Sequence, residues 1–197
     1  MAGLILLVSL LLIISSSIDL AIVIGVYFIL NLLYTFKLKH IALIDITIIA
    51  LGFVLRLAAG GASSETKISQ WAIILTFSLA LILALAKRRG ELISSSSVSR
   101  PALKGYSQYF IDISMTMISA ITIVAYIMYT LSAEVQLRIG QHCYITGIFV
   151  ILGILRYLQQ SFIFNRTESP TKMLYSDNFL QIMIGFWVLS FMIFIYL

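Results

Sequence analysis

The sequence has little of what most catalytic or structural sites in soluble proteins are built from. A single cysteine, Cys143, excludes an intrachain disulfide and a thiolate zinc site. Two histidines, His40 and His142, fall at opposite ends of the apolar segments described below, which excludes a His-pair metal site. Any metal is therefore to be held by oxygen ligands. No Ser-His-Asp grouping, glycine-rich nucleotide loop or zinc motif occurs, and the few glycines fit helix packing and turns better than a phosphate cradle. Charge is also scarce: 11% of residues are Asp, Glu, Lys or Arg, against about 25% in a soluble domain.

What is abundant is apolar. Sixty-one per cent of the 197 residues are hydrophobic, and the mean hydropathy is +1.07. That composition predicts an integral membrane protein, all-α, a polytopic bundle of about seven spans of roughly 20 residues each. The connections are too short for separately cored domains, so residues 1–197 are read as one transmembrane domain.

The spans are expected at Ala2–Ile14, which is short for a full crossing, then from after Ser15-Ser16-Ser17 and Asp19 to Phe36. They continue at Ile41–Ala59, Ser69–Ala86, Tyr109–Leu131, His142–Phe164 and Phe179–Leu197. The first run has no Lys or Arg before it and no small-residue cleavage pattern after it, which argues against a signal peptide. Residues 88–105 form the longest connection; Ser94 to Ser97 there read as a flexible linker, with Pro101 and Gly105 as breakers.

Thirteen basic residues distribute unevenly between the two sides. Lys37, Lys39, Lys87, Arg88, Arg89, Arg100, Lys104, Arg166 and Lys172 fall on one side, Lys67 and Arg138 on the other, and Arg56 and Arg156 inside spans. The positive-inside rule puts the richer side in the cytoplasm, the N-terminus inside and the C-terminus outside. The net charge of +5 is explained by this orientation and calls for no nucleic acid.

Two basic clusters converge on the cytoplasmic side: Lys37, Lys39 and His40 after one span, and Lys87, Arg88 and Arg89 at the end of another. A phosphate or diphosphate needs several cationic donors at one depth, arginine as a fork and lysine as a mobile point charge. The same residues also serve as topology signals facing anionic lipid headgroups, and charge alone does not separate the two readings. Asp45 and Arg56 lie on nearly one face of the third span, about 16 Å apart, too far for a direct salt bridge. For Asp45 two readings stand: an acidic site residue that orients a lysine or helps hold Mg²⁺, or a solvated or lysine-paired helix start. Arg56 reads as a structural interhelix bond or a snorkelling side chain, and Arg156 as snorkelling or as a phosphate contact. Asp112 and Asp177 read as helix N-terminal caps, and Glu91 as an i,i+4 partner of Lys87. Tyr34 sits in an interfacial position just before Lys37.

In order and approximate spacing, Tyr34-Thr35-Phe36-Lys37-Leu38-Lys39-His40, Asp45, Gly52-Phe53-Val54-Leu55-Arg56, Ala59-Gly60-Gly61, Trp71 and Lys87-Arg88-Arg89-Gly90-Glu91-Leu92 resemble the UbiA superfamily of membrane prenyltransferases. Leu155-Arg156-Tyr157, Ser169-Pro170-Thr171 and Asp177 extend the likeness over nearly all of the chain. Within the superfamily it looks like the decaprenyl-phosphate phosphoribosyltransferase branch. The resemblance implies the later seven spans of a nine-span bundle, and transfer of 5-phosphoribose from phosphoribosyl diphosphate to a polyprenyl phosphate, with Mg²⁺ as cofactor. It further implies Asp45 as a catalytic and metal-binding residue, and Tyr34, Lys37, Lys39, His40, Lys87, Arg88 and Arg156 as phosphate or diphosphate contacts. Members of the family carry an upstream Asn-Asp motif that holds Mg²⁺, and no Asn-Asp-x-x-Asp occurs here. The expectation is an N-terminally truncated chain, inactive or nearly so by itself. Prenyl transfer from a prenyl diphosphate to an aromatic acceptor and a non-enzymatic membrane scaffold or partner subunit are the alternatives.

Overall fold

A computed structural model describes residues 18–94, 101–165 and 170–196. Among these, eight α-helices follow in order: α1 Ile18–Phe36, α2 Ile44–Ser63, α3 Gln70–Ile93, α4 Gln108–Thr130, α5 Ala133–Ile139, α6 Gly147–Phe162, α7 Pro170–Ser176 and α8 Asn178–Tyr196. Short 3-10 turns at Leu38–His40, Pro101–Gly105 and Cys143–Thr146 precede α2, α4 and α6. No strand occurs among the described residues.

Six helices are long and apolar enough to cross a membrane: α1, α2, α3, α4, α6 together with its leading 3-10 turn, and α8. They match the second to seventh expected spans; the first, Ala2–Ile14, lies outside the described residues. Each span satisfies its own backbone polar groups, which is why helices rather than loops occupy this apolar sequence. Large apolar side chains such as Ile22, Leu33, Ile121, Ile148 and Ile184 are exposed, as a lipid-facing surface requires.

The centre of the bundle is α2, α3 and α4, with α6 and α8 closing a second pair beside them and α1 lying outermost against α2. Small residues at the contacts, Ala50, Gly52, Ala80, Ala84 and Ala86, are buried and let backbones approach closely. Around them pack Ile46, Leu85, Ile111, Met115 and Tyr157. On the far side of the membrane, Trp187 donates its indole N–H to the Tyr126 hydroxyl at 2.7 Å, and Tyr126 bonds Thr146 at 2.6 Å, joining α8, α4 and the start of α6.

Three sequence expectations change here. Helix α3 does not stop at Ala86 but runs on to Ile93, so Lys87, Arg88, Arg89 and Glu91 are helical. The reason is electrostatic: the two arginines find carboxylate partners that let the last turns stay inside the bundle. Nor is the connection after α3 a free linker throughout. Residues 95–100, which include most of the serine run, lie outside the described residues, but Pro101–Gly105 is a folded turn with Ala102 and Leu103 buried. Thirdly, the short helices α5 and α7 carry no span-like pattern and go unmarked in the sequence.

Candidate functional site

Antiparallel packing brings the C-terminal ends of α3 and α6 and the N-terminal ends of α2, α4 and α8 to one end of the bundle. Carboxylates favour helix N-termini and cations helix C-termini, because unpaired N–H and C=O groups leave partial charges there. Asp45 and Asp177 follow that rule at the starts of α2 and α8. Asp45 is in the first turn of α2, Asp112 lies early in α4, and Asp177 immediately precedes α8, whereas Arg88, Arg89 and Arg156 sit near the ends of α3 and α6. Three arginine–carboxylate clusters result.

The first cluster is the deepest. Arg88 Nε donates to Asp45 Oδ2 at 2.7 Å and Arg88 Nη1 to Glu91 Oε2 at 2.6 Å, with Asp45 0% and Arg88 1% exposed. The second Asp45 oxygen, Oδ1, accepts from the Tyr106 hydroxyl at 2.6 Å. That hydroxyl in turn accepts the backbone N–H of Leu43 at 2.7 Å. Burial, reinforced by the bond to Asp45, pushes the Tyr106 phenol above its ordinary range, so it stays a proton donor.

Arg89 is the centre of the second. Its guanidinium, 1% exposed, donates from Nε to Asp112 Oδ1 at 2.7 Å, and from Nη1 to the Ser161 carbonyl at 2.6 Å and Asn165 Oδ1 at 2.7 Å. It also lies over the Phe162 ring, 5.4 Å from its centre. One planar fork thus satisfies a last-turn carbonyl of α6 and ties α3, α4 and α6 together. Asn165 reaches it because its backbone adopts a left-handed φ of 52°, a conformation asparagine tolerates.

In the third cluster Arg156 pairs with Asp177 through Nη2 at 2.7 Å and Nε at 3.0 Å. Asp177 Oδ1 caps α8 by accepting the Leu180 N–H at 2.9 Å, and Oδ2 also accepts from the Gln160 amide. The Arg156 guanidinium holds the Asp177 carboxyl below the usual carboxylate range.

The expected site residues all lie at this end, in two groups. Tyr34 is half-buried on the last turn of α1; Lys37 and His40 are exposed and Lys39 half-buried around the Leu38–His40 turn; Lys87 is exposed on α3. The side chains of Lys37, Lys39, His40 and Lys87 make no hydrogen bond or ion pair among the described residues. They remain available to an anion. Asp45, Arg88 and Arg156 are instead committed to protein partners. Asp45 is neither solvated nor lysine-paired: its partner is Arg88, because α3 continues far enough to carry that residue alongside the start of α2. Glu91 pairs with Arg88 at i,i+3 rather than with Lys87, and Asp112 pairs with Arg89 while Ser107 caps α4. The capping of α8 by Asp177 and the interhelix bond of Arg56, to the Tyr27 hydroxyl at 2.7 Å, agree with expectation.

Metal ligation at Asp45 does not fit this arrangement. Both of its oxygens already accept charge-assisted or hydroxyl hydrogen bonds, and among the described residues no three His, Cys, Asp or Glu side chains stand together as a ligand set.

Sequence reasoning missed Tyr106, Asn165 and Gln160. The last two had no signal beyond being polar near an apolar span. Tyr106, following Gly105 in a stretch that reads as linker, had none.

An apolar cavity of about 290 Å³ lies inward of the clusters, between α3, α6 and α8, lined by residues including Ile82, Leu83, Gly153, Tyr157, Met183 and Trp187. The Tyr157 hydroxyl, though buried, has no partner among the described residues.

The fold is a membrane-spanning helix bundle similar to that of a UbiA homolog from Archaeoglobus fulgidus bound to Cd²⁺, whose structure superposes with a TM-score of 0.66, covering 96% of this chain and 69% of that one at 16% identity. No family model matches the sequence. Individual sequences do. The chain is 27% identical over 187 residues to the decaprenyl-phosphate phosphoribosyltransferase of Corynebacterium glutamicum, covering 93% of this chain and 56% of that protein. It is 32% identical over 119 residues to the protein of the same name from Mycolicibacterium smegmatis, covering 59% of this chain and 37% of that one. In fold the chain is similar to a UbiA homolog, and its sequence likeness falls on proteins named decaprenyl-phosphate phosphoribosyltransferase. The matches span about a third to a little over half the length of these relatives.

Proposed function

We propose that the basic end is the substrate end of a transferase that moves 5-phosphoribose from phosphoribosyl diphosphate to a polyprenyl phosphate. The observation that carries this reading is the set of unpaired cations, Lys37, Lys39, His40 and Lys87, at the end where buried arginines are already neutralised. Cations without protein partners at one depth suit a phosphate-bearing donor. The sequence likeness to phosphoribosyltransferases supports that donor.

In this reading a phosphate oxygen of the polyprenyl phosphate forms a bond to the anomeric carbon. The bond from that carbon to the diphosphate breaks, and pyrophosphate leaves with the electron pair. Lys37, Lys39 and Lys87 meet the charge that accumulates on the leaving group. Tyr34 lies beside them at the interface. Arg88 and Asp45 act as positioning residues, since neither is exposed to a substrate in this arrangement, and Arg156 does the same at the start of α8. Mg²⁺ belongs to the proposed reaction through the resemblance, but the described residues offer it no ligand set and no step is routed through it. The polyprenyl chain is assigned to the apolar cavity beside α8. By the excess of basic residues this end faces the cytoplasm, with the N-terminus inside and the C-terminus outside. We treat residues 1–197 as one domain.

Binding is the first test. Purified chain should bind labelled phosphoribosyl diphosphate, and Lys37→Ala and Lys87→Ala should each weaken that binding at least tenfold. Unchanged binding in both variants would favour a scaffold or partner subunit. Label passing into lipid from a prenyl diphosphate, and none from phosphoribosyl diphosphate, would favour prenyl transfer to an aromatic acceptor instead.

A further inference from the structure

We infer that Tyr106 is a positioning residue for the anion-binding end: its hydroxyl ties the strained turn at Leu43, and with it the Lys37–His40 segment, to the Asp45–Arg88 pair. This rests on the reading that the unpaired lysines bind a diphosphate.

Leu43 has a backbone φ of 66° and ψ of −42°, outside the small left-handed helical well and a combination that side-chain-bearing residues rarely occupy. Such a residue persists only where its surroundings hold it. Two contacts do so. The Leu43 N–H donates to the Tyr106 hydroxyl, and the Leu43 carbonyl accepts both the N–H and the hydroxyl of Thr47, at 3.0 and 2.7 Å, which opens α2. The second contact belongs to the helix itself. The first comes from a distant part of the chain and can be removed by itself.

The hydroxyl is placed by its own packing. Tyr106 is 7% exposed, Ala102 and Leu103 of the preceding turn are buried, and all three are held in the bundle. Gly105 lies so close to the same turn that a Cβ added there would meet the Ala42 Cβ at 2.5 Å. The connection from α3 to α4 is therefore fitted against the residues that follow Lys37, Lys39 and His40. One oxygen atom joins it both to that turn and to the Asp45 carboxylate that holds Arg88. Loss of the hydroxyl frees the Leu43 turn to relax out of its positive-φ conformation. Lys37 and Lys39 then lose their register with Lys87.

The test uses the full chain in lipid nanodiscs with inorganic pyrophosphate as probe. Tyr106→Phe, which keeps the ring, is expected to weaken pyrophosphate binding about tenfold. Spin labels at Lys39→Cys and Lys104→Cys, in a Cys143→Ala background, should show a narrow distance distribution that broadens in Tyr106→Phe. Adding Leu43→Gly, which adopts the positive-φ turn without strain, should bring binding back to within about threefold. A merely structural loss would not be repaired by that glycine. If Tyr106→Phe does not fold, Gly105→Ala displaces the same turn from Ala42 and should broaden the same distance. An unchanged distribution in the folded variants overturns the tie. Broadening without any pyrophosphate binding by the unmodified chain would overturn the diphosphate reading while leaving the tie standing.

Discussion

Replacing Asp45 with alanine distinguishes a carboxylate that positions Arg88 from one that holds a metal. In the structure the substitution removes two buried hydrogen bonds at once, from Arg88 Nε and from the Tyr106 hydroxyl. It leaves a guanidinium that is 1% exposed with Glu91 as its remaining carboxylate, and a buried phenol with only an acceptor role toward Leu43. Breaking a buried ion pair by removing one partner costs about 3–5 kcal/mol. Glu91 is 25% exposed and compensates Arg88 in part, so the lower half of that range is expected. For a chain of this size each kcal/mol shifts the melting temperature by about 2–4 °C. The expected drop for Asp45→Ala is therefore about 6–16 °C, read by thermal melting of the detergent-solubilised chain without added metal. Asp45→Asn, which keeps an acceptor of the same shape, should lose about half as much. The double variant Asp45→Leu/Arg88→Met, which buries neither charge, should recover most of the loss. Melting temperatures unchanged in Asp45→Ala without metal, but no longer raised by Mg²⁺, would refute the positioning role and restore Asp45 as a ligand.

Arg89→Lys should lower the melting temperature by a comparable margin, since an ammonium cannot span Asp112, the Ser161 carbonyl and Asn165 together; an unaffected variant would mean that one of those bonds suffices. Asp177 gives a pH signature: its folded-state pKa lies below the unfolded value of about 3.9. Its contribution is thus fully present above that value and lost as pH falls through the folded pKa, so Asp177→Asn should flatten the acid limb of a melting-versus-pH profile below about pH 4. Lys37→Ala and Lys87→Ala should leave the melting temperature within about 2 °C of the parent while weakening diphosphate binding, because both side chains are exposed and unpaired. Gly105→Ala should destabilise the chain, and Ala42→Gly in the same molecule should restore it by removing the clashing methyl group.

The sequence alone determined the solvent this protein lives in and the course of its helices. Hydropathy fixes the spans because a backbone in lipid has no partner but itself, so apolar runs of sufficient length become helices whatever they pack against. Placement of Asp45 and Asp177 at helix starts was equally local, since the helix dipole acts within a turn. Partner choice was not local. Asp45 meets Arg88 across 43 residues, Arg89 meets Asn165 across 76, and Leu43 meets Tyr106 across 63. Each pairing depends on which helices lie side by side and on how far α3 continues beyond its apolar stretch. That continuation was itself decided by tertiary structure, because two arginines in the last turns of a membrane helix are tolerated only where carboxylates from neighbouring helices meet them. The same packing separated Arg88, Arg89 and Arg156, which tie helices together, from Lys37, Lys39 and Lys87, whose side chains make no hydrogen bond or ion pair among the described residues, a division that charge and spacing in the sequence do not contain.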